Sequence, residues 1–418
     1  MTLQSNHAQT KSDRSGSMSV SKTPRLQSRI WHRFLNPIFS GMHHGRVEFT
    51  LPTGDQLIYG SETSKEQSVQ VYIHKNRTLW NILTKGTLGI AESFIASHWS
   101  CDNLSKLFDL CLKNRSVFEM IRSNGKIARW FAHLKHLTRA NSIKGSRKNI
   151  SFHYDLGNDF YELWLDPSMT YSSAFKLGDQ EKLEEAQIRK LDRALELSQA
   201  CKGQSILEIG CGWGAFAERA ALKGCQVDGL TLSKEQLDYA NERAKQKGFA
   251  SNARFHFRDY RHEQGEYDAI VSIEMIEAVG EEHWPTYFRH LHDNLRPGGR
   301  AALQAITIDK ANYQKYRNGA DFIQAYIFPG GMLPTEEHLL EHAKKAGLIP
   351  VFRETFAPDY AKTLARWRER FLAQWPKISK LGYDERFRRM WLFYLAYCEA
   401  GFANKTINVG HYCYKRPT

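Results

Sequence analysis

Apolar and polar positions divide this chain into two stretches of different rhythm, with the break near residue 150. Before it stand strand-like pieces, RVEFTL and QLIYG joined by Pro52-Thr53-Gly54-Asp55, then VQVYI. Helical spacing follows at Thr78–Lys85, Leu88–Ser97, Asn103–Leu112 and Val117–Leu137. NSIKGSRKNI (141–150) is basic, short of apolar residues and contains a glycine, which predicts a linker. After it, Lys182–Leu197 is amphipathic, with Leu183, Gln187, Leu191 and Leu195 on one side and Ala186 and Ala194 beside them. Strands then alternate with helices. ILEIG, VDGLTL, RFHFRDY, YDAIVSI and RAALQAITI are separated by helices at about 215–223, 234–247 and 283–295, with RPGG (296–299) as a turn before the last strand. The alternation predicts an α/β fold: a doubly wound, mostly parallel sheet whose ligand sits at the carboxyl ends of its strands. The expected organisation is a disordered polar tail (1–28), a smaller α+β accessory domain (29–140), the linker, and a main domain (151–418) with helical additions after its fifth strand.

The ligand is foreshadowed at SILEIGCGWGAFAERAA (205–221), which reads as strand Ser205–Ile209, turn Gly210–Gly214 and a helix from about Ala215. A glycine turn opening a helix lets a ligand approach free backbone N–H groups. Gly210, Gly212 and Gly214 run G-x-G-x-G, not the G-x-G-x-x-G of a dinucleotide site. Glu208, two residues before the first glycine, would repel a pyrophosphate but suits a ligand carrying an ammonium group. S-adenosylmethionine has an ammonium, a sulfonium and no phosphate. Asp228 is the acid expected to hold a ribose, yet Gly-Leu-Thr-Leu-Ser follows it and leaves it short of its strand's end. Thr231, Ser233 and Gln236 are better placed.

Composition narrows the partners. Lys plus Arg (58) exceed Asp plus Glu (45), a net charge of +13, so nucleic acid and acidic lipid surfaces both fit. No compact basic stripe with stacking aromatics supports nucleic acid, the basic clusters being local, at 141–148 and 361–370. The seven cysteines form no C-x-x-C pair and are odd in number, which favours reduced, intracellular thiols, and no metal site is expected. Residues 1–28 hold no apolar segment that would serve as a signal peptide, and the nearest approach to a membrane span, Trp391–Ala403, is short and contains Glu399.

From HYDLGNDFYELWLDPSMTYSS (153–173) onward the chain resembles the cyclopropane-fatty-acyl-phospholipid synthase family. The resemblance runs through LEIGCGWG, GLTLSKEQ, SIEMIEAVG, YIFPGGMLP, WRERFLAQWP and FYLAYCEAGF, and is weak before residue 150. It implies a Rossmann-like methyltransferase domain that uses S-adenosylmethionine to methylate double bonds of unsaturated phospholipid acyl chains. Cofactor contacts are implied at Tyr171, Ser172, the glycine loop and Thr231–Gln236, with Asp259 and Tyr260 flanking the adenine. The implied location is cytoplasmic, peripheral on an anionic inner membrane face, with a homodimer as one possible state. A small-molecule methyltransferase stays open as a second enzyme reading, although the aromatics after residue 310 exceed what a compact ligand needs.

A sulfonium methyl is a strong electrophile and an alkene a feeble nucleophile, so transfer passes through a carbocation that water would destroy. The site must be dry, lined with aromatic faces and equipped with a base. Tyr313, Tyr316, Phe322, Tyr326, Phe328, Trp367 and Trp391 are expected as core or tunnel lining, and Tyr360 as a direct participant. Glu277, in IEMIEAVG, is the expected catalytic carboxylate, and Cys398 matches a cysteine that the family retains. The family holds a bicarbonate ion as proton acceptor through a Cys, a Glu, a His and a Tyr. Here Ser173 stands for the Cys, Gln304 for the His, and Ala278 follows Glu277 where a His is common. Losing a thiol and an imidazole changes the base, and with it the choice between ring closure to cyclopropane and a methyl-branched alkene.

Overall fold

The computed structural model describes residues 26–61, 68–114, 156–319 and 321–418. The expected helix 117–137 and the linker 141–150 lie outside them, as does the tail up to residue 25. Residues 26–28, expected as tail, instead open a helix, Leu26–Phe39, that buries Trp31, Leu35, Ile38 and Phe39. Ser28 ties this helix to the Pro52–Asp55 turn through the Thr53 hydroxyl (3.0 Å) and the Asp55 carboxylate. The helix covers a four-stranded sheet of β1 (Arg46–Thr50), β2 (Gln56–Gly60), β3 (Ser68–Ile73) and β4 (Trp99–Cys101), in the order β2-β1-β3-β4. Val69, Val71 and Ile73 alternate inward along β3, as a half-buried strand requires.

Seven strands form the main sheet: β5 (Ser205–Ile209), β6 (Gln226–Thr231), β7 (Ala253–Phe257), β8 (Tyr267–Ile273), β9 (Leu295–Ile308), β10 (Ile349–Thr355) and β11 (Ile407–Lys415). Their order is β10-β11-β9-β8-β5-β6-β7, with β11 antiparallel to both neighbours and the remaining pairs parallel. Both faces are covered. Ile206 packs with Leu191, Phe216 and Ala240 on one side, and Leu207 with Phe288, Leu291 and Leu339 on the other. The strand order reverses between β5 and β8, which opens a crevice at their carboxyl ends. RPGG, expected as a turn, is drawn into β9, where the ladder to β8 skips from Leu295 to Arg300. Gly298 (φ +80°) reaches across to donate to the Arg416 carbonyl at 3.0 Å, so the chain's last residues hold the segment extended.

Helix Glu385–Ala403 lies against the accessory unit, and helix Ala357–Ile378 packs alongside it. Phe393 packs on Phe108 (5.0 Å between centroids) and Phe94 (5.8 Å), while Arg389 donates to the Trp99 carbonyl at 2.7 Å. Glu399 joins Ser105 (2.8 Å) to Arg368 (2.9 Å) across the same boundary. The two units therefore share one core. Among the described residues no helix is long and apolar enough to cross a membrane.

Candidate active site

The glycine turn builds the first half of the site. Gly210, Gly212 and Gly214 all have positive φ (+84°, +52° and +83°), which lets β5 turn within five residues into helix Ala215–Leu222. The three glycines serve different ends. A Cβ on Gly214 would stand 3.2 Å from both Ala240 and Phe255, whereas one on Gly212 would meet nothing within 4 Å and project into open space. That space is a cavity of about 170 Å³ bordered by Tyr171, Ser172, Glu208, Gly210, Gly212, Thr231, Gln236 and Tyr260, all expected from the sequence. Ser233, Gly214 and Asp259 do not line it. Ser233 caps helix Lys234–Gln246, accepting from Gln236 N–H at 3.3 Å. Asp259 turns away to Arg261, 2.7 Å, so its carboxylate is committed to that pair and not to an adenine. Asp228, in mid-strand, pairs with Arg254 and His256.

Glu208 supplies the test of the expected ligand. It is 3% exposed, and its Oε2 has no hydrogen-bond partner among the described residues. Burial pushes its pKa well up, against the pull of the Lys190 ammonium. An orphaned carboxylate oxygen beside an open glycine backbone fits a ligand with an ammonium donor and no phosphate, as S-adenosylmethionine is. Glu208 would take the ammonium and the Gly210–Gly212 backbone would border the ligand closely. Gln236 and Tyr260 would border the nucleoside.

The second half of the site is built around a carboxylate not singled out from the sequence. Glu274, the first residue beyond β8, lines the same cavity and holds three expected residues together. Its Oε1 accepts from the Ser173 backbone N–H (2.9 Å) and the Gln304 amide (2.7 Å), and its Oε2 from the Tyr360 hydroxyl (2.6 Å). Glu277, one turn on, faces the other way. Its Oε1 accepts from Ile306 N–H, its Oε2 is buried without a partner, and burial followed by the Glu274 charge pushes its pKa up to about 8. The structure thus separates Glu277 from Ser173, Gln304 and Tyr360. Glu274 has φ +50°, a left-handed conformation uncommon for a residue with a side chain. The Ser173 hydroxyl is not part of the cluster, since it donates to the Ala174 carbonyl at 2.8 Å.

Two further groups escaped the sequence reading. Lys190 is fully buried, borders the cavity and donates to Ser172 Oγ at 2.6 Å; burial lowers its pKa to about 8, while Glu274, Asp166 and Glu208 hold it up. It was visible as a lysine on the apolar stripe of its amphipathic helix. His411 lies opposite Gln304 across β9 and β11, its Nε2 3.2 Å from Gln304 Oε1 and its Nδ1 3.1 Å from Glu354. An imidazole is therefore present after all, one strand further from the cavity.

Aromatic rings wall the site. Tyr171 hydrogen-bonds Tyr394 (2.8 Å) and packs against Trp164 and Trp367 at 5.6 and 5.2 Å, and Tyr360 stacks on Phe402 at 4.3 Å. Trp391 and Phe328 both pack on Tyr394. Phe322 and Tyr326 stack on each other, with Phe322 against Phe393 and the Tyr326 hydroxyl donating to Glu92 at 2.8 Å, at the boundary with the accessory unit. Tyr313 and Tyr316, expected as core or tunnel lining, belong to the core that includes Leu303 and Ile308 of β9. Cys398 stands near Tyr360 and Tyr394, partly buried, and desolvation pushes its pKa up.

With this geometry in hand, the chain can be set beside known proteins. Residues 141–412 match the family model of mycolic acid cyclopropane synthetase. Tuberculostearic acid methyltransferase UfaA1 of Mycobacterium tuberculosis is 37% identical over 371 residues, covering 85% of this chain and 86% of that one. Cyclopropane-fatty-acyl-phospholipid synthase of Escherichia coli is 34% identical over 341 residues, covering 80% and 85%. Among solved structures, mycolic acid cyclopropane synthase CmaA1 in complex with SAH and CTAB superposes with a TM-score of 0.60 at 32% identity, over 65% of this chain and 98% of that one. Cyclopropane synthase MmaA2 of M. tuberculosis gives 0.61 at 31%, with the same coverage. The chain belongs to the mycolic acid cyclopropane synthetase family and is an S-adenosylmethionine-dependent methyltransferase.

Proposed function

We propose that this enzyme transfers a methyl group from S-adenosylmethionine to the double bond of an unsaturated acyl chain in membrane phospholipid. The observation that carries the reading is the meeting of two features at Glu274. It closes the cofactor cavity, and it is hydrogen-bonded to Tyr360 in the aromatic wall. A carbocation formed there would face aromatic rings and one carboxylate cluster. Its relatives are named for fatty acids and fatty-acyl phospholipids, which supports the substrate class. The product follows from how the cation loses its proton. With no thiol at 173 and no imidazole at 304, we expect a substantial methyl-alkene fraction beside cyclopropane. The enzyme would work from the inner face of the membrane, docked by its net charge of +13.

Purified enzyme, S-adenosylmethionine and vesicles of monounsaturated phospholipid test this directly. Released fatty acids should gain one CH₂ unit. NMR before and after mild hydrogenation separates the alkene, which is saturated, from the ring, which survives. Vesicle lipids left unmethylated, with methyl transfer to a small soluble acceptor instead, would overturn the reading. Lipid profiles of cells with and without the gene extend the test to the native substrate.

A further inference from the structure

We infer that the Glu274 carboxylate is this enzyme's own proton acceptor, a base built into the chain in place of a bound anion. The inference rests on the acyl-methylation reading above and adds the group that completes it.

Three observations converge on Glu274. The first is backbone geometry. A glutamate at φ +50° carries strain of about 1 kcal/mol that a glycine would not, and such strain persists where the side chain is needed in one place. The second is hydrogen bonding. The donors aimed into this corner are the Ser173 N–H, the Gln304 amide and the Tyr360 hydroxyl, and all three end on the two oxygens of Glu274. A small anion would need the same donors. The Gln304 amide is also locked in its orientation: its nitrogen lies 2.7 Å from Glu274, and its oxygen receives His411 Nε2 at 3.2 Å. The third is charge. Burial raises the Glu274 pKa, so the carboxyl binds a proton more readily than a free glutamate, while the three donors and the Lys190 ammonium favour its ionised form.

The step balances without any further reactant. The alkene π pair forms a bond to the sulfonium methyl carbon, the carbon–sulfur bond breaks, and its pair stays on sulfur. The neighbouring carbon is left cationic. Glu274 takes one proton, and the C–H pair it leaves behind becomes either the ring-closing C–C bond or a new C=C bond. The resulting carboxylic acid returns its proton to water when the crevice reopens. A base tethered to β8 cannot drift as a free anion can, so it selects among the competing protons by position.

Two variants test the inference, each assayed on monounsaturated phospholipid vesicles in carbon dioxide-free buffer with and without added bicarbonate. Glu274→Gln keeps the shape, and Glu274→Gly removes the carboxylate and the left-handed strain together but strands three donors, so circular dichroism first checks that both variants are folded. The parent should run at full rate without bicarbonate. Both variants should lose about 100-fold or more in product formation while binding S-adenosylhomocysteine within about twofold of the parent by calorimetry, since a base lost from the reaction leaves cofactor affinity intact. Added bicarbonate or formate should restore part of the rate to Glu274→Gly alone. A parent that depends on bicarbonate, a Glu274→Gln variant within threefold of the parent rate, or a methyl-branched alcohol as the parent's main product overturns the assignment of Glu274 and leaves the substrate reading standing. A parent that methylates no phospholipid overturns both.

Discussion

Gln304 and His411 face each other across the antiparallel pair β9 and β11, and His411 Nε2 approaches Gln304 Oε1 at 3.2 Å. The glutamine amide thus stands between an imidazole on one side and Glu274 on the other. His411 in turn lies 3.1 Å from Glu354, which Arg193 holds at 2.8 Å, so a chain of polar contacts leads from the crevice to a partly exposed ion pair.

Replacing His411 by Phe should loosen the amide without touching the cofactor. We expect several-fold slower turnover, unchanged S-adenosylhomocysteine affinity and a shifted product ratio, with partial rescue in His411→Asn. The lost hydrogen bond and the stranded amide should cost roughly 1–3 kcal/mol in urea unfolding. The ion pair adds a pH signature. His411 and Arg193 hold Glu354 down to about 2, below its unfolded value, so its stabilisation is present above the ordinary carboxylate range and is lost as pH falls through about 4 to 2. Glu354→Gln should flatten the urea midpoint across that window.

Gly212→Val tests the cofactor turn. Its side chain would enter the cavity unopposed by any protein atom, so S-adenosylhomocysteine binding should fall at least 100-fold in calorimetry while circular dichroism stays that of the parent. The left-handed φ of +52° should cost about 1–2 kcal/mol of stability. Gly214→Ala, packed against Ala240 and Phe255, should do the reverse and damage stability more than affinity.

Cofactor binding should release protons. Burial holds Glu208 well above its ordinary pKa in the free enzyme, and an incoming ammonium favours its ionised form. The same cation lowers the already depressed Lys190 further, so both groups shed protons in the same direction. Affinity for S-adenosylmethionine should therefore rise as pH rises toward about 8, where Lys190 titrates. Calorimetry in buffers of different ionisation enthalpy should show net release, and Glu208→Gln should diminish it. Proton uptake would contradict the assignment of Glu208 to the ammonium.

Membrane association should be electrostatic and reversible. With a net charge of +13, sedimentation with anionic vesicles should be strong at low salt and weaken as salt rises, each basic residue near the surface being worth about 1 kcal/mol. Equal binding to zwitterionic vesicles at every salt concentration would place the attraction elsewhere.

Much of this enzyme was legible in the order of its residues, because burial imposes a local rhythm on the chain. The strands from Ser205 to Ile273 and their helices follow from alternating apolar runs, and the G-x-G-x-G turn with Glu208 pointed to a cationic, phosphate-free ligand. Eight residues of the cavity's border, from Tyr171 to Tyr260, stand in segments that the sequence pattern marks. Tertiary structure decided what local rhythm cannot carry. Glu274 and Glu277 are three residues apart in one motif, yet one borders the crevice and the other accepts from Ile306 N–H. His411 meets Gln304 only because β11 inserts between β9 and β10 in one register, 107 residues along the chain. Lys190 sits among three carboxylates drawn from distant segments, and no pattern within its own helix names them. Periodicity is a property of neighbours in sequence, whereas a hydrogen-bonded site is made by groups that meet only after the chain has closed on itself.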